Sequence, residues 1–187
     1  MAEFKMIGGS PKSITVPSHE INIWQYYEDL PKENLFRYTQ ETNWALGVFR
    51  ANNYRNEASQ WIVKKEKNDE AEWRRLPIHQ ACICDPNNEI ITCILDAYPI
   101  GIYEKDDQGR LPIHLACIHG ASTYVIYLLL AAYHDSSNEK DNWGKIPKDY
   151  CILSSHENSI EVINLLAKGP AKFDFGVSNR IKLQEIE

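Results

Sequence analysis

The order of apolar and polar positions repeats along the chain. The sequence LPIHQAC at residues 76–82 returns as LPIHLAC at 111–117, and an altered copy, IPKDYC, stands at 146–151. Successive copies begin 35 residues apart. A sequence period of roughly 20 to 50 residues is typical of proteins built from stacked supersecondary units. The pattern therefore predicts a repeat protein.

Each copy predicts the start of one helix, and an apolar run predicts a second helix after it. Proline suits the first turn of a helix, because its φ is already helical and its missing N–H would have no partner there. The apolar runs lie at 90–95, at 125–130 and, two residues late, at 162–166. A lone helix pair cannot shield such a flank from water. We therefore expect the pairs to stack in sequence order.

His79 and His114 fall within the first turn of the predicted first helices. A neutral imidazole has one nitrogen that donates a hydrogen bond and one that accepts. One nitrogen of each ring can donate to a loop carbonyl while the other accepts, which would tie neighbouring units together. We expect a structural role for both histidines.

These residues resemble the ankyrin repeat family over about residues 45–168, most clearly in the two central units. The family has a Thr-Pro-Leu-His-x-Ala helix start, two short helices and an Asp-x-x-Gly finger, which 106–109 and 141–144 match. In place of the family's Thr, this chain has Leu76, Leu111 and Ile146, so a hydroxyl cap is lost. The resemblance implies an all-α, ankyrin-like helical solenoid of about three to four units, with short β-hairpin fingers and a helical N-terminal cap.

The expected organisation has three parts: a flexible segment at 1–20, a repeat domain at 21–168 and a tail at 169–187. The domain divides into an N-terminal cap at 21–43, a degenerate repeat at 44–75, repeats at 76–110 and 111–145, and a C-terminal repeat at 146–168. A charged insertion near 64–67 should be an exposed loop.

The tail should leave the last helix at Gly169-Pro170, since this pair supplies a flexible exit and a residue that cannot continue a helix. Its apolar residues are Phe173, Phe175, Val177, Ile181, Leu183 and Ile186. They are numerous enough for the tail to fold back over the open end of the stack.

Charge and composition narrow the class of protein. A formal net charge of −6 argues against nucleic acid or a membrane surface as the main partner. The chain has no long apolar run and no apolar signal core near Met1, so we expect an intracellular protein, cytoplasmic or nuclear, that is a monomer on its own. Five cysteines, an odd number, are expected to be reduced thiols.

Motifs of catalysis do not occur in the sequence, which contains no Gly-rich phosphate loop, no Gly-x-Ser-x-Gly and no His-Glu-x-x-His. The pairs His79 with Cys82 and His114 with Cys117 have a spacing that zinc ligands use. Because each pair recurs with the repeat period, the fold itself accounts for them. We therefore expect neither an enzyme, nor a cofactor, nor a metal site.

Binding to another protein is the function that the pattern favours. The resemblance implies that finger positions and the exposed side of each first helix line a groove that recognises other proteins. The residue before each Leu-Pro or Ile-Pro step is basic, and we call Arg75, Arg110 and Lys145 the basic ladder, with steps of about 10 Å. Trp73 and Trp143 stand two positions before the first and last of these. Exposed Trp beside cations is the mixture enriched at interface hot spots.

We therefore predict that the finger edge binds an acidic segment of a partner protein, with the two Trp side chains as anchors. Gln80 and His119 should face the groove from the first helices, and Asp106 and Asp107, in the finger turn, should bond their own backbone. The predicted partner-binding residues are Trp73, Arg75, Gln80, Asp107, Gln108, Arg110, His119, Asn142, Trp143 and Lys145. The alternative for the ladder is that its side chains are solvated, with their stems covering the neighbouring finger.

The predicted function is that of a non-enzymatic adaptor. Two alternatives stay open. The chain could be a structural subunit held in a larger assembly through an apolar patch around Trp24 and Tyr27. It could also be an inhibitor that masks the active site of its partner.

Overall fold

A computed structural model describes residues 25–26, 29–65, 71–154 and 156–170. This part of the chain is predominantly α-helical, as expected, with short strands near its N-terminal side. The helices are α1 Leu35–Gln40, α2 Trp44–Asn53, α3 Pro77–Ile83, α4 Asn88–Ala97, α5 Pro112–His119, α6 Thr123–Ala132, α7 Pro147–Ser154 and α8 Ser159–Lys168. The strands are β1 Gln25–Tyr26, β2 Ile62–Lys65 and β3 Ala71–Arg75.

The helices form consecutive pairs that stack in chain order. The first helices α1, α3, α5 and α7 pack one on the next, and so do the second helices α2, α4, α6 and α8. One buried cluster runs through the layers, and Ile78 and Ile113, one period apart, are each 1% exposed. A single-turn 3-10 helix follows α2, α4 and α6, at Arg55–Ser59, Pro99–Ile102 and His134–Asn138. The predicted order of stacking is confirmed.

The helix starts have the predicted chemistry. Pro77 and Pro112 are the first residues of α3 and α5. The main-chain N–H of Leu76 donates to Nδ1 of His79 at 3.1 Å, and the Nε2 of that ring lies 3.0 Å from the carbonyl oxygen of Glu104. Since Nδ1 accepts, the neutral ring carries its proton on Nε2 and donates it to that carbonyl. The side chain therefore ties the start of its helix to the loop before the next unit.

His114 repeats this arrangement one unit later. Its Nδ1 accepts from the N–H of Leu111 at 3.1 Å, and its Nε2 lies 3.0 Å from the carbonyl oxygen of Glu139. In the third copy Asp149 stands at the histidine position, and its carboxylate accepts from the N–H of Ile146 at 3.0 Å. A carboxylate keeps the helix cap but has no proton to donate onward.

Three expectations for the fingers and the N-terminal cap need correction. Only the first finger is a β-hairpin within the described residues: β2 pairs antiparallel with β3, whereas 104–110 and 139–145 are turns. The cap at 21–43 is not purely helical, because β1 pairs parallel with β2 and completes a sheet in the order β1-β2-β3. Lys64 and Lys65 belong to β2, so the charged insertion begins inside a strand.

Some of the remaining expectations can be compared with the structure, and others fall outside the described residues. α8 ends at Lys168, before Gly169, as the sequence predicts. The predicted boundary between residues 43 and 44 falls between α1 and α2, which pack against each other. The flexible segment predicted at 1–20, the tail from residue 171 onward and the aromatic residues Trp24 and Tyr27 lie outside the described residues.

Acidification should destabilise the fold through His79. Burial lowers the pKa of this ring from 6.5 to about 4, because a charged imidazole is poorly solvated inside the stack. As the pH falls, the unfolded chain takes up the proton near 6.5 and the folded chain only near 4. The stability that is present above pH 6.5 is therefore lost as the pH falls from 6.5 towards 4. The loss is up to about 1.4 kcal/mol per pH unit for each proton. Urea unfolding between pH 7 and pH 4.5 measures this slope.

The His79→Gln variant should be less stable at pH 7 and should show a shallower slope. Part of the slope should remain, because burial also lowers the pKa of His114. His134→Gln is the matched control, since that side chain is 69% exposed, and it should keep the original slope. A slope that His79→Gln leaves unaltered would contradict the assignment.

Candidate protein-binding surface

The second and third fingers are turns closed by an aspartate. One carboxylate oxygen of Asp106 accepts from the N–H groups of Gln108 and Arg110, both at 2.9 Å. Asp141 accepts in the same way from the N–H groups of Trp143 and Lys145, both at 2.9 Å. An aspartate that bonds its own backbone in this manner fixes a turn. The expected structural role of Asp106 is confirmed, and the position of each basic residue follows from the turn.

Successive fingers contact one another. The main-chain N–H of Asn142 donates to the carbonyl of Gln108, and its side-chain amide donates to the carbonyl of Asp107, both at 3.0 Å. Nε of Arg74 lies 2.9 Å from the Asp107 carboxylate and joins the first finger to the second. Asp107 and Asn142, two of the predicted binding residues, thus take part in finger-to-finger contacts. The fingers form one continuous edge.

The members of the basic ladder differ in their surroundings. The guanidinium of Arg110 forms two hydrogen bonds with one oxygen of Asp106, at 2.9 and 2.8 Å, and this pair is largely buried. The ammonium of Lys145 lies 5.3 Å from the centre of the Tyr150 ring. Arg110 therefore departs from the alternative of a solvated side chain, because its charge is largely buried and holds its own finger together.

Arg75 is half-buried, and burial followed by the positive charge of Arg110 lowers its pKa. The same two effects, with Arg75 itself as a further cation, lower the pKa of His119, which is exposed at the end of α5. Arg75 and Arg110 therefore both act on His119 and favour its neutral form, while the carboxylates of Asp106 and Asp107 oppose the effect of Arg110 at Arg75. His119 is exposed, and its predicted place in the groove stays a prediction.

Trp73 and Trp143 do not play equivalent parts. Trp143 is 60% exposed at the tip of the third finger. Trp73 is half-buried in β3, its ring stacks on Phe36 of α1 with centroids 5.7 Å apart, and Arg75 lies 4.8 Å from its centre. The expectation of an exposed anchor at Trp73 is wrong, because the first finger folds its ring onto α1.

Gln80 also departs from expectation. It is only 5% exposed, and its amide nitrogen donates to the sulfur of Cys84 at 3.2 Å within α3. Its side-chain oxygen lies 3.5 Å from a guanidinium nitrogen of Arg75. Gln80 is therefore a buried neighbour of Arg75 in the basic ladder. Gln108 is exposed, as predicted.

Sequence reasoning missed two tyrosines of this surface. The hydroxyl of Tyr150 donates to the carboxylate of Asp141, and burial together with this bond raises the pKa of Tyr150 to about 12. Tyr103 is 54% exposed and its ring centre lies 4.6 Å from that of Tyr133. Tyr150 occupies a position that holds leucine one unit earlier, so the repeat pattern alone marked it as a packing residue.

The described residues contain no cluster of three or more side chains suited to hold a metal ion. His79, whose spacing from Cys82 zinc ligands can use, has both ring nitrogens engaged with main-chain groups. His114 is engaged in the same way. Both histidines serve the backbone.

A scan of the chain against protein-family models finds no match, and no curated protein matches it either. Within the described ranges, no helix is both long and apolar enough to cross a bilayer. The function must therefore be argued from the surface of the molecule itself.

The contact between the second and third fingers can be tested by substitutions at their two turn glycines. Gly109 and Gly144 have matching positive φ angles of 74° and 76°. A Cβ on Gly109 would lie 2.9 Å from the main-chain nitrogen of Asn142, whereas one on Gly144 would meet nothing within 4 Å. Alanine at a left-handed position costs roughly 1 to 2 kcal/mol at either site.

Gly109→Ala should therefore lower the free energy of unfolding by at least about 1 kcal/mol more than Gly144→Ala. Chemical denaturation of the two variants measures the difference, and the backbone cost cancels between them. Equal losses would mean that the second and third fingers do not touch in solution.

Proposed function

We propose that this chain is a non-enzymatic, ankyrin-type binding protein whose finger edge recognises an acidic segment of a partner protein. The observation that carries the proposal is Trp143, 60% exposed at the tip of the third finger, with Lys145 two residues later and a cation, Arg75 or Arg110, at the same place in each preceding finger. These cations lie on a chain whose formal net charge is −6. A local reversal of charge next to an exposed aromatic ring is typical of a recognition surface.

Several features support the ankyrin interpretation together. Helix pairs stack in order, each of the first helices α3, α5 and α7 begins at a proline, and Asp-x-x-Gly turns project between units. The buried histidines bridge one unit to the next. Such an array holds its fingers in a row, which suits an extended peptide.

The chemistry of the buried groups favours binding over catalysis. Burial raises the pKa of the Cys82 and Cys117 thiols, so neither forms a thiolate readily. His79 and His114 are neutral and fully engaged with main-chain groups. These groups stabilise the stack, and the side chains available to a partner are those of the fingers.

The third finger is the best place to test the proposal, because its side chains can be changed without disturbing a buried ion pair. Trp143→Ala with Lys145→Glu should weaken capture of acidic partner proteins from an extract of the native cells by tenfold or more, since hot-spot truncations cost about 2 kcal/mol. Arg75→Gln, which removes one charge, should weaken capture less. Quantitative mass spectrometry of the captured proteins provides the measurement.

Lys32→Glu is the matched control, because it changes the net charge at an exposed site far along the chain from the fingers. It should capture the same proteins as the unaltered chain. Thermal melting of every variant establishes that the fold is intact. Undiminished capture by the Trp143→Ala, Lys145→Glu variant would overturn the proposal.

A role as a structural subunit has one observation in its favour. Leu46, Phe49 and Tyr54, on and just after α2, are 42%, 54% and 45% exposed. An exposed apolar group of this kind is typical of a surface that another chain covers. Loss of a stable complex in Phe49→Ser, with finger variants unaffected, would favour this second function. An inhibitory role would instead require that the captured partner be an enzyme whose activity the chain lowers.

A further inference from the structure

The outer side of the last helix pair carries three large aliphatic side chains that no described residue covers. Ile152 and Leu153 of α7 are 58% and 64% exposed, and Ile160 of α8 is 77% exposed. We call these three residues the terminal face. The final unit of a helical stack normally presents a polar outer surface, because nothing packs on it.

The repeat register shows that the preceding unit covers two of these positions. One period before Ile152 stands Cys117, which is 3% exposed under α7. Allowing for the two-residue offset of α8, Ile160 corresponds to Thr123, which is 6% exposed. At these two places the terminal unit therefore has larger apolar side chains than the unit before it, which is covered there. Such positions are those of a layer that receives a further element.

The terminal face is held in a fixed position. The Nε2 of His156, between α7 and α8, lies 3.0 Å from the carbonyl oxygen of Ile118. The side-chain amide of Asn158 donates to the carbonyl oxygen of Ala121 at 2.8 Å. The connection of the last unit is thus bonded to that of the unit before it, and the face is preorganised for an occupant.

We propose that residues 171–187 of the same chain bind the terminal face and cap the stack. This segment follows Pro170 directly, and its apolar residues are Phe173, Phe175, Val177, Ile181, Leu183 and Ile186. Apolar residues alternate with other residues at 173–177, which gives an extended chain one apolar side. A covalent tether makes docking intramolecular and favours this segment over a second copy.

The tether is long enough for the segment to reach the face. An extended chain spans about 3.4 Å per residue, so the five residues from Pro170 to Phe175 cover about 17 Å. The part of α8 between Ile160 and its end is about 13 Å long. Phe173 and Phe175 are therefore the residues placed to meet Ile160 and its neighbours.

Photocrosslinking of the full chain tests the occupant directly. With p-benzoylphenylalanine at Leu153, illumination of the monomer should give crosslinks within one chain to peptides from 171–187, identified by mass spectrometry. The same group at Leu46, on α2 at the other end of the stack, should give none to that segment. Crosslinks from Leu153 to a second chain, or none to 171–187, would overturn the proposal.

Stability of the full-length chain gives a second and independent readout. On a covered face Ile160→Ser should lower the melting temperature by roughly 5 °C, whereas on a bare face it should be neutral. Phe173→Ser with Phe175→Ser should have a similar effect, and combining these changes with Ile160→Ser should cost less than their sum. Lys182→Ser is the control within the segment. Additive losses, or no loss from either side, would contradict docking.

Discussion

The stack depends on one buried interaction, a neutral imidazole that joins the start of one helix to the loop ahead of the next unit. His79 and His114 each accept from a main-chain N–H of their own unit and donate to a carbonyl that is 25 residues further on. Both rings are completely buried, so an unpaired ring nitrogen or carbonyl there would carry the full cost of desolvation. This bond fixes where each finger leaves the stack, and the finger in turn sets the position of its basic residue.

The same interaction explains how the array ends. Asp149 replaces the histidine in the last unit, and among the described residues its carboxylate accepts from the helix start at Ile146. A unit without the donating nitrogen cannot attach a following loop in the way that the earlier units do. The exposed aliphatic residues on α7 and α8 lie in that same unit, so whatever covers them packs through apolar contact. The replacement of histidine by Asp149 and the exposed aliphatic side chains thus occur in the same unit, where regular stacking ends.

The periodic part of the molecule could be predicted well from the sequence, because its cause is local. Proline at the helix starts, histidine in the first turn and aspartate in the fingers act within or between adjacent repeats. Trp73 and Gln80 were predicted wrongly because their exposure depends on partners outside that pattern. The ring of Trp73 meets Phe36 of α1, and Gln80 bonds Cys84 inside its own helix. β1 is equally hard to predict, since two residues become a strand only by pairing with β2.

The three cations of the ladder have the same place in the repeat but different availability. Arg110 is held by Asp106, and Arg75 is partly desolvated beside Trp73. Each of them should therefore act on a partner through its electrostatic potential more than by direct contact. Lys145 follows the exposed Trp143 by two residues in the same finger. Recognition of an acidic segment should therefore be strongest at the third finger. That finger leads straight into α7, whose outer side carries Ile152, so the binding edge and the terminal face belong to one unit. An element that packs on α7 would therefore lie in the same unit as Trp143 and Lys145, whose turn is held by Asp141.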